Sequence, residues 1–274
     1  MNGRSLNGLD PFLDALGLDE EPLGIFFSDD EPPEGFTPKP ADLPTREKEL
    51  AGEVDWQEVF QQFSCAIGHI WRARKKKTAA YFDATHFGCP GCAFWLGFMK
   101  PQTETIIGYV SSGIPNKMEG ERYCESPDAL RRMFDYIDPP PATKRYCIVK
   151  PISCFTLKES PLLVAFFAGP ESLSGIHQLA TFVTNDPEAV VSPWGAACTD
   201  LVTWPMKFLT QGMNKAVLGG WDPSARKFFK TDELSFTVPY TMFRQMLDRW
   251  EDSFLTTQTW AVVKKKIDRS KKRG

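Results

Sequence analysis

Cysteine is the residue type whose placement in this chain could do chemistry. Of seven cysteines, Cys89 and Cys92 stand in "CPGC", with Pro90 and Gly91 between them and the apolar run "AFWLGF" behind. A Pro-Gly turn lets both sulfurs face one point. The run behind it predicts a helix. A thiol near a helix N-terminus has a lowered pKa and is more often thiolate, the form that binds metal or attacks. Cys198 lies in "GAAC", whose small residues permit close approach of a cofactor or another helix. Cys65 lies in "FSCAIG". Together Cys65, Cys89, Cys92 and Cys198 would give four sulfur ligands, which suit an iron–sulfur cluster or, as the alternative, zinc. Their spacing matches neither a zinc ribbon, with its two close pairs, nor a ferredoxin run, with its three close cysteines. A dithiol redox pair and simple packing stay open as rival readings, because free cysteine is often a buried small hydrophobe. A thioredoxin-like setting has the required strand before CPGC and helix after it, but no cis-proline strand is recognisable and the chain is too long.

Around these thiols stand the other candidates. His86 precedes Cys89 by three residues, and His69 follows Cys65 by four, one helical turn on. His177 reads as structural, as do Cys147 and Cys154; Cys124 reads as incidental. The segment "YVSSGIPNKMEGERY" (109–123) reads as a long polar loop, and loops of that length are functional or disordered. Within it Arg122 offers a planar fork for a carboxylate or phosphate, with Lys117 as a point charge nearby. These two are the candidate substrate-binding residues, facing the same cleft as the cysteines. Asp83, Glu119, Glu121 and Asp200 could supply acid–base groups. No P-loop, dinucleotide fingerprint, nucleophile elbow or zinc-protease histidine pair occurs.

The positioning elements follow from periodicity and punctuation. "LDPFLDALGL" predicts a helix stopped at Gly17. "PLGIFFS" predicts a buried strand, and the proline-rich 29–44 stretch a loop. "DWQEVFQQFSCAIGHIWRARKK" spaces its apolar residues as one amphipathic helix or two short ones, with Cys65 at the middle or the break. "TAAYFDATHF" predicts a strand. "TIIGYV" reads as loop-like. "SPDALRRMFDYI" is a helix capped by Ser126 with Pro127 at its first position. Strands "YCIVKPIS" and "PLLVAFFAG" follow, then a helix opened by Pro170 and a loop entering a helix around Cys198. "KAVLGGWDPSARKFF" and "ELSFTVPY" read as strands around a turn, and "YTMFRQMLDRWEDSFL" as a closing amphipathic helix.

The two parts of the chain, 1–140 with CPGC and 141–274 with GAAC, share an order: apolar strand, cysteine segment, strand, helix. The expectation is an α+β or mixed α/β fold, one compact unit with two degenerate similar halves. With 274 residues the chain can bury roughly 75% of its unfolded surface, so it needs no disulfide or metal merely to fold. Its 42% hydrophobic and 24% charged content are those of a soluble protein. A net charge of −3 and a pI of about 5.7 give no global sign of nucleic acid. The basic runs "RARKKK" and "VKKKIDRSKKRG" read as a solvated face and a frayed tail. No stretch reaches the ~18 apolar residues of a membrane span, and no secretory signal is visible. The protein therefore reads as cytoplasmic, where cysteines are thiols or metal ligands rather than disulfides.

Six stretches carry a resemblance that runs through nearly the whole chain: "EPLGIFF", "FSCAIGHIWRARKKKTAAYFDATHFGCPGCAFWLGF", "YVSSGIPNKMEGERY", "SPLLVAFFAGPESLSGIHQLATF", "PWGAACTDLV" and "DPSARKFFKTDELSFTVPYTMFRQM". In them the chain resembles the prokaryotic family called domain of unknown function 169. The resemblance implies no activity. It implies that Cys65, Cys89 and Cys198 hold the family's cysteine positions, and that the place of Cys92 need not be cysteine. The functional expectation is a thiolate-ligated metal centre, an iron–sulfur cluster in a redox or anaerobic role, with a small molecule or redox protein as partner. The alternative is a protein or enzyme binding an anionic small molecule, its cysteines lining the pocket. Cys89 is expected to be the functional thiol of CPGC and Cys92 to be dispensable.

Overall fold

The computed structural model describes residues 8–100, 104–116 and 118–272. Its fold is α+β. The strands in chain order are β1 (Leu23–Ser28), β2 (Ala80–Phe82), β3 (Gly113–Ile114), β4 (Met118–Glu119), β5 (Tyr146–Pro151), β6 (Leu163–Ala168), β7 (Val190–Val191), β8 (Ala216–Gly219) and β9 (Leu234–Pro239). Seven of them form one sheet in the order β2-β5-β1-β6-β9-β8-β7, and β3 pairs with β4 apart from it. Every pairing is antiparallel except β7 with β8.

The sheet order reads alike outward from its centre. Strands β1 and β6 pair with Gly24 opposite Val164. Outside β1 lie β5 and then β2; outside β6 lie β9 and then β8, with β7 added at that edge. On each side of the β1–β6 pair the strand first in the chain is central, the last of the three flanks it, and the middle one lies outermost; β5 belongs to the β1 side although it lies beyond residue 140.

Both faces of the sheet are covered, which is why its strands read as nearly continuous apolar runs. The helices are α1 (Leu9–Leu16), α2 (Arg46–Ala51), α3 (Trp56–Gln61), α4 (Ala66–Lys76), α5 (Pro90–Trp95), α6 (Glu104–Val110), α7 (Pro127–Ile137), α8 (Pro170–Thr184), α9 (Trp204–Thr210), α10 (Tyr240–Arg249) and α11 (Gln258–Lys271). On one face Phe26, Val164, Phe166 and Phe236 meet α1, α8, α10 and α11 through Phe12, Ile176, Phe243 and Trp260. On the other, Ile25, Val149, Leu163 and Ala165 meet α4, α5 and the 199–210 segment through Ile67, Ile70, Cys92 and Leu201. Among the described residues no helix is long and apolar enough to cross a membrane.

Several expected elements form in place. Gly17 ends α1 at φ 69°, a left-handed cap that glycine takes without a Cβ clash. Ser126 caps α7, accepting from the Ala129 amide. Cys65 falls at the break between α3 and α4.

Other expectations need correction. The C-terminal run is not a frayed tail. Trp260 and Ile267 of α11 are buried, and Trp260 Nε1 donates to Ala15 O at 2.7 Å. Its lysines pair with acids of α1, α8 and α11 itself, which satisfies a charge run read as solvated. Residues 104–110, read as loop, form α6, where Ile107 and Val110 pack with Leu130 and Phe134 of α7. Gly108 and the β-branched residues give this stretch low helix propensity, and tertiary packing overrides it. The strands read in "TAAYFDATHF" and "KAVLGGWDPSARKFF" shrink to Ala80–Phe82 and Ala216–Gly219.

Candidate functional site

Three helix starts point at one place on the α4–α5 side of the sheet. Cys65 is the N-cap residue of α4, Cys89 is the N-cap of α5, and Cys198 directly precedes a π-helical turn, Thr199–Thr203, that runs into α9. Their side chains and that of Cys92 line one cavity of about 290 Å³. The first half of the chain supplies three of the four sulfurs and the second half supplies Cys198. None of the seven cysteines is in a disulfide.

The local chemistry of each sulfur differs. Cys89 Sγ accepts from the Cys92 amide at 3.3 Å, so CPGC closes as an N-cap. Cys92 lies inside the first turn of α5 and is 1% exposed. Its thiol shares a hydrogen bond with Cys198, which is the first cause of its strongly raised pKa, followed by burial. Burial pushes Cys65 up to about 11, helped by Cys198 and opposed by the amides of Ile67 and Gly68. Burial and then Cys198 likewise push Cys89 upward, against the Cys92 amide. The lowered pKa expected from helix N-termini is therefore reversed at these three. Losing water around a thiolate costs more here than the terminal amides return.

Two carboxylates share the cavity. Asp222, in the turn after β8, accepts from the Ala197 amide at 3.2 Å and the Ser224 amide at 2.9 Å. It also accepts from Ser224 Oγ at 2.8 Å and Tyr123 Oη at 3.4 Å. Glu121 has no hydrogen bond or ion pair through its carboxylate among the described residues; burial, with Asp222 adding to it, raises it to about 7. Burial, then Glu121 and Asp222, push Tyr123 up to about 12. Aromatic side chains share the rest of the wall with small and aliphatic residues, and the Phe60 and Tyr109 rings lie 5.0 Å apart. Lys227 is the one cation among the described lining residues.

The remaining candidates fall elsewhere. Arg122 is outside the cavity lining; its side chain is 72% exposed and pairs with Glu119 at 3.4 Å. Lys117 lies outside the described residues. His86 Nδ1 pairs with Asp83 at 3.1 Å, and His69 Nε2 bonds Ser64 Oγ at 3.0 Å; neither ring lines the cavity. Asp200 sits behind Cys198, its Oδ2 accepting from the Gly220 amide at 2.9 Å and its Oδ1 buried without a partner. Burial, with Asp222 adding to it, raises Asp200 to about 8. Among the described residues no group of three or more His, Cys, Asp and Glu is placed to hold a metal ion. Sequence reasoning missed Asp222, Tyr123 and the aromatic wall. The available signal for Asp222 was "WDPS", an Asp-Pro-Ser turn directly after a strand.

The sequence pattern of domain of unknown function 169, described as an uncharacterised ArCR family, matches residues 12–249. The chain belongs to this family. In this member of domain of unknown function 169 the matched span contains all four cavity cysteines, Glu121 and Asp222, and it ends before α11. No curated protein and no solved structure matches the chain significantly.

Proposed function

We propose that the protein carries a thiolate-ligated metal centre, an iron–sulfur cluster, on Cys65, Cys89, Cys92 and Cys198. The observation that carries this reading is the meeting of these four side chains, drawn from three helix starts, on one cavity. The raised pKa values of Cys65, Cys89 and Cys92 favour it over a nucleophilic or dithiol role, since a reactive cysteine needs a ready thiolate. A bound cation would supply the positive charge that makes thiolates affordable there.

The present sulfur positions do not enclose an ion, so loading turns them inward. Cys65 and Cys89, as N-cap residues, stand outside the helical turn that restricts χ1. The test is anaerobic purification followed by iron, zinc and acid-labile sulfide analysis. Iron and sulfide in near-equal amounts, with visible sulfur-to-iron absorption, are expected. Absence of metal after both anaerobic preparation and reconstitution with ferrous iron and sulfide would sink the reading.

A further inference from the structure

We infer that the cavity beside the four cysteines receives a small organic cation, an alkylated ammonium, held between aromatic faces and the carboxylates of Glu121 and Asp222. The wall includes Phe60, Trp95, Tyr109 and Trp194. Ring faces carry negative potential and attract cations, the more so away from water. The two carboxylates lack a countercharge. Asp222 is held by neutral donors alone, the Ala197 and Ser224 amides, Ser224 Oγ and Tyr123 Oη. The Glu121 carboxylate has no hydrogen bond or ion pair among the described residues. Lys227, the one cation in the described lining, lies with its Nζ 5.3 Å from the Phe228 ring centre and forms no ion pair among the described residues. Arg122, the group best shaped for an anion, faces solvent.

The sign of the cavity does not depend on the metal reading. At pH 8, where Glu121 is mostly ionised and where the titrations below are run, neutral thiols leave two carboxylates against one lysine, and a four-thiolate centre adds negative charge. An anionic ligand is disfavoured in both cases, and a cation is favoured in both. The volume of about 290 Å³ is at the small end of ligand pockets, which run from ~300 to 1,000 Å³, so the ligand is small.

The experiment titrates the full chain with benzyltrimethylammonium, benzyl alcohol and benzoate, read by tryptophan fluorescence and calorimetry. It is run on chelator-treated protein and on anaerobically loaded protein. Benzyltrimethylammonium is expected to saturate one site at least tenfold more tightly than benzyl alcohol, and benzoate is expected to bind more weakly still. Glu121→Gln should weaken the cation about tenfold and leave benzyl alcohol unchanged. A cation advantage below about tenfold, benzoate binding as tightly as the cation, or an unchanged Glu121→Gln variant would each overturn the proposal. Should Glu121→Gln fail to fold, the three-probe comparison on the unaltered chain still decides. Iron and sulfide content are measured separately, so failure here and failure of the cluster reading are distinguishable.

Discussion

Cys65 and Cys198 hold the same place in the two halves and are built in differently. Each precedes the helix that leads to the middle strand of its half, α4 before β2 and the 199–210 segment before β8. After Cys65 comes a regular helix whose first residues, Ala66 and Ile67, are apolar and buried. After Cys198 come a buried Thr199 and Asp200 in a π-helical turn. Such turns are rare and gather at functional sites. The turns beyond the middle strands make a second contrast. Asp83 after β2 accepts the amides of Thr85 and His86, and Asp222 after β8 accepts that of Ser224. The same local device yields an aspartate paired with His86 in one half and an aspartate lining the cavity in the other. The first half instead contributes the CPGC segment and Glu121. The two sides of the sheet, alike in strand order, thus make complementary contributions to one cavity.

The largest expected effect tests whether both halves are needed. Cys65→Ala and Cys198→Ala should each drop iron content to background; retention in either one would leave the site to a single half. Cys92→Ala should lose as much as Cys89→Ala, because the Cys92 thiol engages Cys198. Retained iron in Cys92→Ala alone would return that residue to packing, the role its sequence position suggests.

Backbone contacts should separate the halves next. A Cβ at Gly219 would lie 2.3 Å from Asp200 Cβ, whereas one at Gly68 in α4 would meet the Phe228 ring at 2.9 Å. Gly219→Ala is expected to cost about 3 kcal/mol or more, since a buried side chain fixed to Gly220 must move. Gly68→Ala should cost about 1 kcal/mol, the half-buried ring being able to turn. Urea denaturation of both variants measures this; equal losses would erase the contrast.

The buried acid gives the second half a pH dependence that Ile67 cannot give the first. Burial, opposed by the Gly220 amide, raises Asp200 from 3.8 to about 8 in the folded protein. Between those values the folded state keeps a proton that the unfolded state releases, so this group's contribution to stability falls as pH rises. Asp200→Asn should flatten that fall and gain on the unaltered chain toward pH 8, by up to a few kcal/mol. Parallel stability curves for the two proteins would show that Asp200 does not titrate there.

The smallest effect belongs to Arg122. Exposed and, among the described residues, ion-paired only with exposed Glu119, it should change stability by less than about 0.5 kcal/mol on replacement by alanine. Arg122→Ala should also leave binding of benzyltrimethylammonium unchanged. A large loss of binding would restore the loop as the recognition element.

The sequence by itself determined the central strands, the stop at Gly17 and the cap at Ser126, and it left the 56–76 stretch as one helix or two. These are local matters: apolar runs, turn residues and caps act over a few residues and leave a pattern in order. Tertiary structure alone decided which groups of the 109–123 segment enter the cavity. Glu121 and Tyr123 line the cavity, whereas Arg122 between them and Glu119 face solvent, a division that nothing in the local composition of this polar stretch marks. It also decided the sign of the thiol pKa shifts. A helix N-terminus is visible in sequence and lowers a thiol's pKa, but burial is summed over α3, α4, α5, α6 and the 194–198 and 222–227 segments, which approach one another only in the folded chain. The long-range sum outweighs the local field.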